Sequence, residues 1–151
     1  MIEWYKSDNL IILFDKKPSV SIRYSTPESA KEQIESIKQY PFVNDKKLKV
    51  FIKDKEQGYS FTIPEGYMFD GMTIPRFAWT LIGVSKEDNR GLIGALIHDY
   101  ICLHKHAVLN NRALSTNIFN ALLEVGGMNK LRRFIMKNSV AMYQTLCCRW
   151  N

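Results

Sequence analysis

Asp70, His98 and Asp99 are the side chains of this chain best suited to chemistry. Two carboxylates and an imidazole offer hard oxygens and a nitrogen to a divalent metal. Such an ion would lower the pKa of a bound water and aim it at a scissile bond, the work of a hydrolase. His104 and His106 stand close enough in sequence to add a further nitrogen. Without a metal, His98 can serve as a general base whose tautomer Asp70 or Asp99 fixes. The spacing argues against both schemes. Neighbours on a helix point about 100° apart, so His98 and Asp99 do not automatically share a pocket. No HExxH or HxxH element accompanies them, and no glycine pattern fits a phosphate loop or a dinucleotide fingerprint.

The same region also makes a structural set. Asp70 can accept backbone N–H bonds from the turn at 72–75, with Thr73 near the cap of a short helix. Arg76 can pair with Asp99, and Tyr100 can bury its ring. A connected network of Asp70, Thr73, Arg76, Asp99 and Tyr100 would fix the geometry between two parts of the chain without adding much stability. This architectural reading is preferred to the catalytic one. No cofactor is expected; a divalent metal belongs only to the hydrolase alternative.

The elements that must position these residues fall into two halves, an α+β arrangement. Residues 1–70 read as β-rich. Short strands are expected at 2–5, 10–14 and 19–24, the last with Val20, Ile22 and Tyr24 alternating against polar residues. Thr26-Pro27-Glu28 predicts a surface helix from 26 to about 38, capped by Thr26. A hairpin follows over 48–52 and 59–63, then Tyr67, Met68 and Phe69 close the β part. Residues 71–151 read as mainly helical, with helices expected at 75–81, 87–102, 112–125 and 129–147. On the second of these, Gly91, Ala95, His98 and Cys102 share a side, and its small residues predict close approach of another backbone. The whole is expected to be one domain spanning 1–151.

Composition narrows the classes. At 151 residues and 46% hydrophobic, with 24% charged, the chain suits a packed core and not general disorder. No apolar run reaches a bilayer-spanning length, and the N-terminus lacks the pattern of a secretory signal. Cys102, Cys147 and Cys148 make an odd, poorly spaced set, which points to a reducing compartment, the cytoplasm. The net charge is +6. From Lys105 onward the chain carries Lys105, Arg112, Lys130, Arg132, Arg133, Lys137 and Arg149, with only Glu124 opposed. Lys130, Arg133 and Lys137 fall on one helical side, a face for nucleic-acid phosphates or an acidic protein. No base-reading motif accompanies it, so any nucleic-acid binding is expected to be nonspecific.

Residues 66–76, GYMFDGMTIPR, followed by IHDY at 97–100 and a later helix with Phe119, carry a resemblance. The pattern resembles the uncharacterised family known as domain of unknown function 1353, whose members occur in phage and bacterial genomes. The resemblance spans 10–145 and is most specific over 66–125. It aligns the family's pattern with Asp70, Thr73-Ile74-Pro75, His98-Asp99 and Tyr100. Family members commonly carry an acid just before the later aromatic. Here Ser115-Thr116-Asn117 precedes Ile118-Phe119, so if that acid completes a site, this chain lacks it. The resemblance implies a phage or prophage accessory protein in the infected host, either in its cytoplasm or associated with the virion. The function expected is binding to a host or phage protein, with no membrane span. The alternatives are a metal-dependent hydrolase using Asp70, His98 and Asp99, and a nonspecific nucleic-acid binder.

Overall fold

Alternation is the reason the first half folds as it does. In β2 (Leu10–Phe14), Leu10, Ile12 and Phe14 are buried while Ile11 and Leu13 are only partly covered. β5 (Leu48–Asp54) and β6 (Gln57–Ile63) repeat the pattern with Leu48, Val50, Ile52, Phe61 and Ile63. A side-chain period of two places all of these on one face. In the computed structural model, which describes residues 1–71 and 89–147 (side chains through 142, Asn89 and Arg90 excepted), that face packs against the helices.

Two antiparallel sheets result. β1 (Ile2–Lys6), β2, β5 and β6 form a four-stranded sheet in the order β1-β2-β5-β6. Its register sets Ile12 beside Ile52, Leu13 beside Phe51, and Val50 beside Phe61. β3 (Val20–Ile22), β4 (Phe42–Asn44) and β7 (Met68–Phe69) form a smaller sheet in the order β3-β4-β7. The β-rich first half and helical second half follow the α+β expectation, but two details differ. β3 leaves its predecessors to pair with β4, and β4 was not anticipated. Three residues are too few to display periodicity, and Pro41 just before them reads as a breaker.

The first helix, α1 (Lys31–Gln39), begins later than the Thr26 cap predicts. Thr26 and Ser29 close a turn on each other instead: the Thr26 N–H donates to Ser29 Oγ at 2.8 Å, and the Ser29 N–H to the Thr26 carbonyl at 3.0 Å. Short hydroxyl side chains compete with the helix in this way. At the other end, Arg23 Nη1 donates to the carbonyls of Ser36 and Tyr40 at 3.3 and 2.8 Å. The Ser36 carbonyl also accepts the Tyr40 N–H at 2.8 Å, while the Tyr40 carbonyl lies just past the helix, where main-chain partners run out. α1 buries no side chain, as its thin apolar content implies.

Three further helices are described: α2 (Asn89–Leu103), α3 (Arg112–Val125) and α4 (Lys130–Cys147). α3 is capped by Asn111, whose Oδ1 accepts the Leu114 N–H at 3.0 Å. It buries Leu114, Ile118, Phe119, Leu122 and Leu123. Their spacing is that of a broad apolar stripe. Buried side chains of α2, α3 and the larger sheet join one hydrophobic cluster. The helix expected at 75–81, and the sequence around it, lie outside the described residues.

Asn44 connects the sheets to the turn that precedes the site. Fully buried, it donates through Nδ2 to the carbonyls of Ile63 and Pro64 at 3.4 and 3.0 Å. Its main chain binds the same segment, accepting from Gly66 and donating to Tyr67, both at 2.8 Å. Gly66 adopts φ 86°, a left-handed conformation that glycine reaches without strain. Asn44→Ala should therefore destabilise the fold by about 1–3 kcal/mol, because it leaves two carbonyls without their donor. Urea unfolding of the two proteins measures this; a difference below about 0.5 kcal/mol would remove Asn44 from this role.

Candidate functional site

The turn that Asn44 holds presents Tyr67 to α2. The Tyr67 hydroxyl donates to Asp99 Oδ2 at 2.6 Å. Around this bond the rings pack closely. Tyr100 stacks on Phe61 at 5.6 Å and on His104 at 4.3 Å, and Tyr67 meets Tyr100 edge-on at 5.3 Å. Edge-to-face and offset arrangements suit the ring quadrupoles. His104 Nδ1 also lies 3.1 Å from the Tyr100 carbonyl, one helical turn back. The site is thus a carboxylate and a phenol, walled by aromatic side chains, where β6 and the turn after it meet α2.

Electrostatics follow from that enclosure. The Asp99 carboxyl is pushed up to about 6, chiefly by burial and also by the nearby charge of Asp70, with the Tyr67 hydrogen bond and His104 opposing the rise. Burial also holds the Tyr67 phenol well above its ordinary range, with Asp99, Tyr100 and Asp70 adding to the shift. Tyr67 is therefore a permanent proton donor to Asp99. Asp70 and Asp99 act on the same phenol and on each other. This arrangement can hold or release one proton on a carboxylate in the range between pH 5 and 7.

His98 meets other neighbours. Its ring lies 5.2 Å from Phe119 of α3, and Cys102 Sγ approaches its two ring nitrogens at 3.8 and 3.7 Å. Burial lowers its pKa to about 4, so the imidazole is neutral at pH 7. The one-residue step between His98 and Asp99 turns them toward different neighbours, as helix geometry implies. The structure thus brings Asp70 and Asp99 into one electrostatic neighbourhood with Tyr67, Tyr100 and His104. It sets His98 against α3. Among the described residues no three His, Cys, Asp or Glu side chains are grouped to hold a metal ion, and Asp70, His98 and Asp99 do not make such a group.

Other sequence-predicted residues divide likewise. Thr73 and Arg76 lie outside the described residues, and with them the expected Arg76–Asp99 pair. Tyr67, read in sequence as the close of the β part and as part of a motif, supplies the shortest polar contact among the described residues of the site. Its position one residue past a Pro-Glu-Gly turn was the available signal. Close approach of α3 is seen at Gly94, beside the predicted Ala95. A Cβ built on Gly94 would meet Phe119 Cδ1 at 3.3 Å. On α4, Lys130 is exposed while Arg133 and Lys137 are half-buried. Arg133 Nη1 donates to the Met128 carbonyl at 3.0 Å, so this guanidinium is partly engaged inside the fold.

α4 also shows what its mixed composition concealed. Met136, Ser139 and Val140 are buried, whereas Leu131, Phe134 and Met142 are 69%, 66% and 47% exposed. The helix therefore has an apolar side turned outward as well as one turned inward. No described helix is long and apolar enough to cross a membrane.

A family model described as Protein of unknown function (DUF1353) matches residues 47–140. The match lies within the span of the resemblance and includes β5, β6, the Tyr67–Asp99 contact, Asp70 and most of α4. No curated protein and no solved structure matches the chain.

Proposed function

We propose, from the premise that this chain belongs to the DUF1353 family, that it is a phage or prophage accessory protein acting by binding another protein in the bacterial host cell. The observation that carries this reading is the outward side of α4, where Leu131 and Phe134 keep well over half of their surface in water and Met142 nearly half. Single exposed apolar residues are common on protein surfaces; three aligned along one helix are an interaction surface in waiting. The phage setting and the cytoplasmic location are what the family resemblance implies.

The test compares two baits. Native affinity capture from cells expressing the full chain, read by mass spectrometry, should return a reproducible host or phage protein. The double substitution Leu131→Ser and Phe134→Ser should lose that protein while unfolding at nearly the same temperature, because both side chains are exposed. A partner retained by the substituted chain would move the binding surface elsewhere; no reproducible partner with either bait would defeat the reading.

A further inference from the structure

Charge on α4 narrows the kind of partner. Successive helical residues advance about 100°, so Leu131, Phe134, Asn138 and Met142 share one stripe, opposite the buried Met136 and Val140. Lys130 and Lys137 lie seven residues apart, hence on one line along the Phe134 flank of that stripe. α4 contains no acidic residue from Lys130 to Cys147. Asn138 interrupts the apolar stripe at its middle, and its Nδ2 donates to the Phe134 carbonyl at 2.7 Å.

These features discriminate among occupants. Two copies pairing antiparallel through this stripe would set Lys130 against Lys137 of the second copy, like charge facing like charge. A parallel pair would gather four lysines in one interface with no acid to offset them. A lipid surface favours cations on both flanks and an unbroken apolar centre. Here Arg132 stands on the other flank from Lys130 and Lys137, one step past Leu131, but an amide breaks the apolar centre that a lipid surface requires. A single polar residue of this kind sets register between paired helices. Resting on the binding role proposed above, we infer that α4 docks an acidic amphipathic helix of a partner protein. Its apolar residues cover Leu131, Phe134 and Met142, and its carboxylates meet Lys130 and Lys137.

The probe is a synthetic amphipathic peptide of roughly three heptads, with Leu on its apolar stripe and Glu on both flanks, and a matched peptide carrying Lys in place of Glu. Fluorescence anisotropy with the full chain should show the Glu peptide binding at least about tenfold more tightly than the Lys peptide, with the margin shrinking as salt rises. Lys130→Glu with Lys137→Glu should invert the preference. Leu131→Ser with Phe134→Ser should remove binding of both peptides. Circular dichroism confirms that each variant is folded, and the inverted preference cannot come from a misfolded chain.

Equal affinity for the two peptides, or an unchanged preference after charge reversal, overturns the inference. So does tighter binding to phosphatidylcholine–phosphatidylglycerol vesicles than to the Glu peptide. A concentration-dependent dimer that Leu131→Ser with Phe134→Ser dissolves assigns the surface to a second copy and also overturns it. If the Glu peptide fails while cellular capture still depends on Leu131 and Phe134, the acidic-helix inference falls and the binding role stands. If both fail, both fall.

Discussion

Phe119→Ala is expected to cost about 3–5 kcal/mol of stability. The ring is 1% exposed and fills the contact between α2 and α3. It lies beside Gly94 and 5.2 Å from the His98 ring. Glycine has no side chain to swing into the hole, so the site relaxes poorly and the upper part of the range applies. Against a typical stability of about 5–15 kcal/mol, this is a large fraction of the total. Urea unfolding gives the magnitude. A second readout locates the effect: the cavity admits solvent to His98, so its pKa, followed by NMR, should climb from about 4 toward the ordinary 6.5. A loss below about 1 kcal/mol with an unmoved His98 titration would contradict this packing.

The second large effect is a pair of opposite pH dependences. Asp99 has its pKa raised from 3.8 to about 6, so between those values the folded chain holds more protons than the unfolded one. Stability from this group is greatest at low pH and is lost as pH rises toward 6. His98 has its pKa lowered from 6.5 to about 4, so over nearly the same range the unfolded chain holds more protons. Stability from this group is greatest above 6.5 and is lost on acidification. Each shift corresponds to about 3 kcal/mol before water screening is allowed for, and the two slopes nearly cancel. Asp99→Asn keeps an acceptor for Tyr67 but removes one slope, so the variant should lose stability relative to wild type from pH 6.5 down to 4. His98→Gln should gain over the same interval. Thermal unfolding of the three proteins across that range decides it; parallel curves would mean that neither group is perturbed as described.

The sequence disclosed these elements unevenly, for physical reasons. β5 and β6 announce themselves by the alternation that burial of one face requires, and β2 by an unbroken run of five apolar residues. The end of α3 and the start of α4 were legible from the Gly126-Gly127 stop and from Asn129 just after it, whereas the Asn111 cap of α3 emerged only with the structure. β4 was hidden because three residues carry no period. The start of α1 was misplaced because Thr26 and Ser29 satisfied each other before they could serve a helix.

At the site, the residue types were visible and their directions were not. Asp70, His98 and Asp99 emerged from sequence as one group, yet only tertiary contact reveals that Tyr67 joins the two carboxylates and that His98 faces Phe119. The outward stripe of α4 was unreadable for a related reason. A helix apolar on two sides has no single moment to point toward the core, and only packing decides that Val140 goes in while Phe134 stays out.

The position of β5 has a consequence for dissection. It takes hydrogen bonds from β6 on one side and from β2 on the other, and the residues that the family model matches, 47–140, include β6 but not β2. The boundary of the match therefore runs through a sheet and not around it. A chain cut to that segment alone would present β5 as a bare edge carrying Leu48, Val50 and Ile52, an invitation to aggregate.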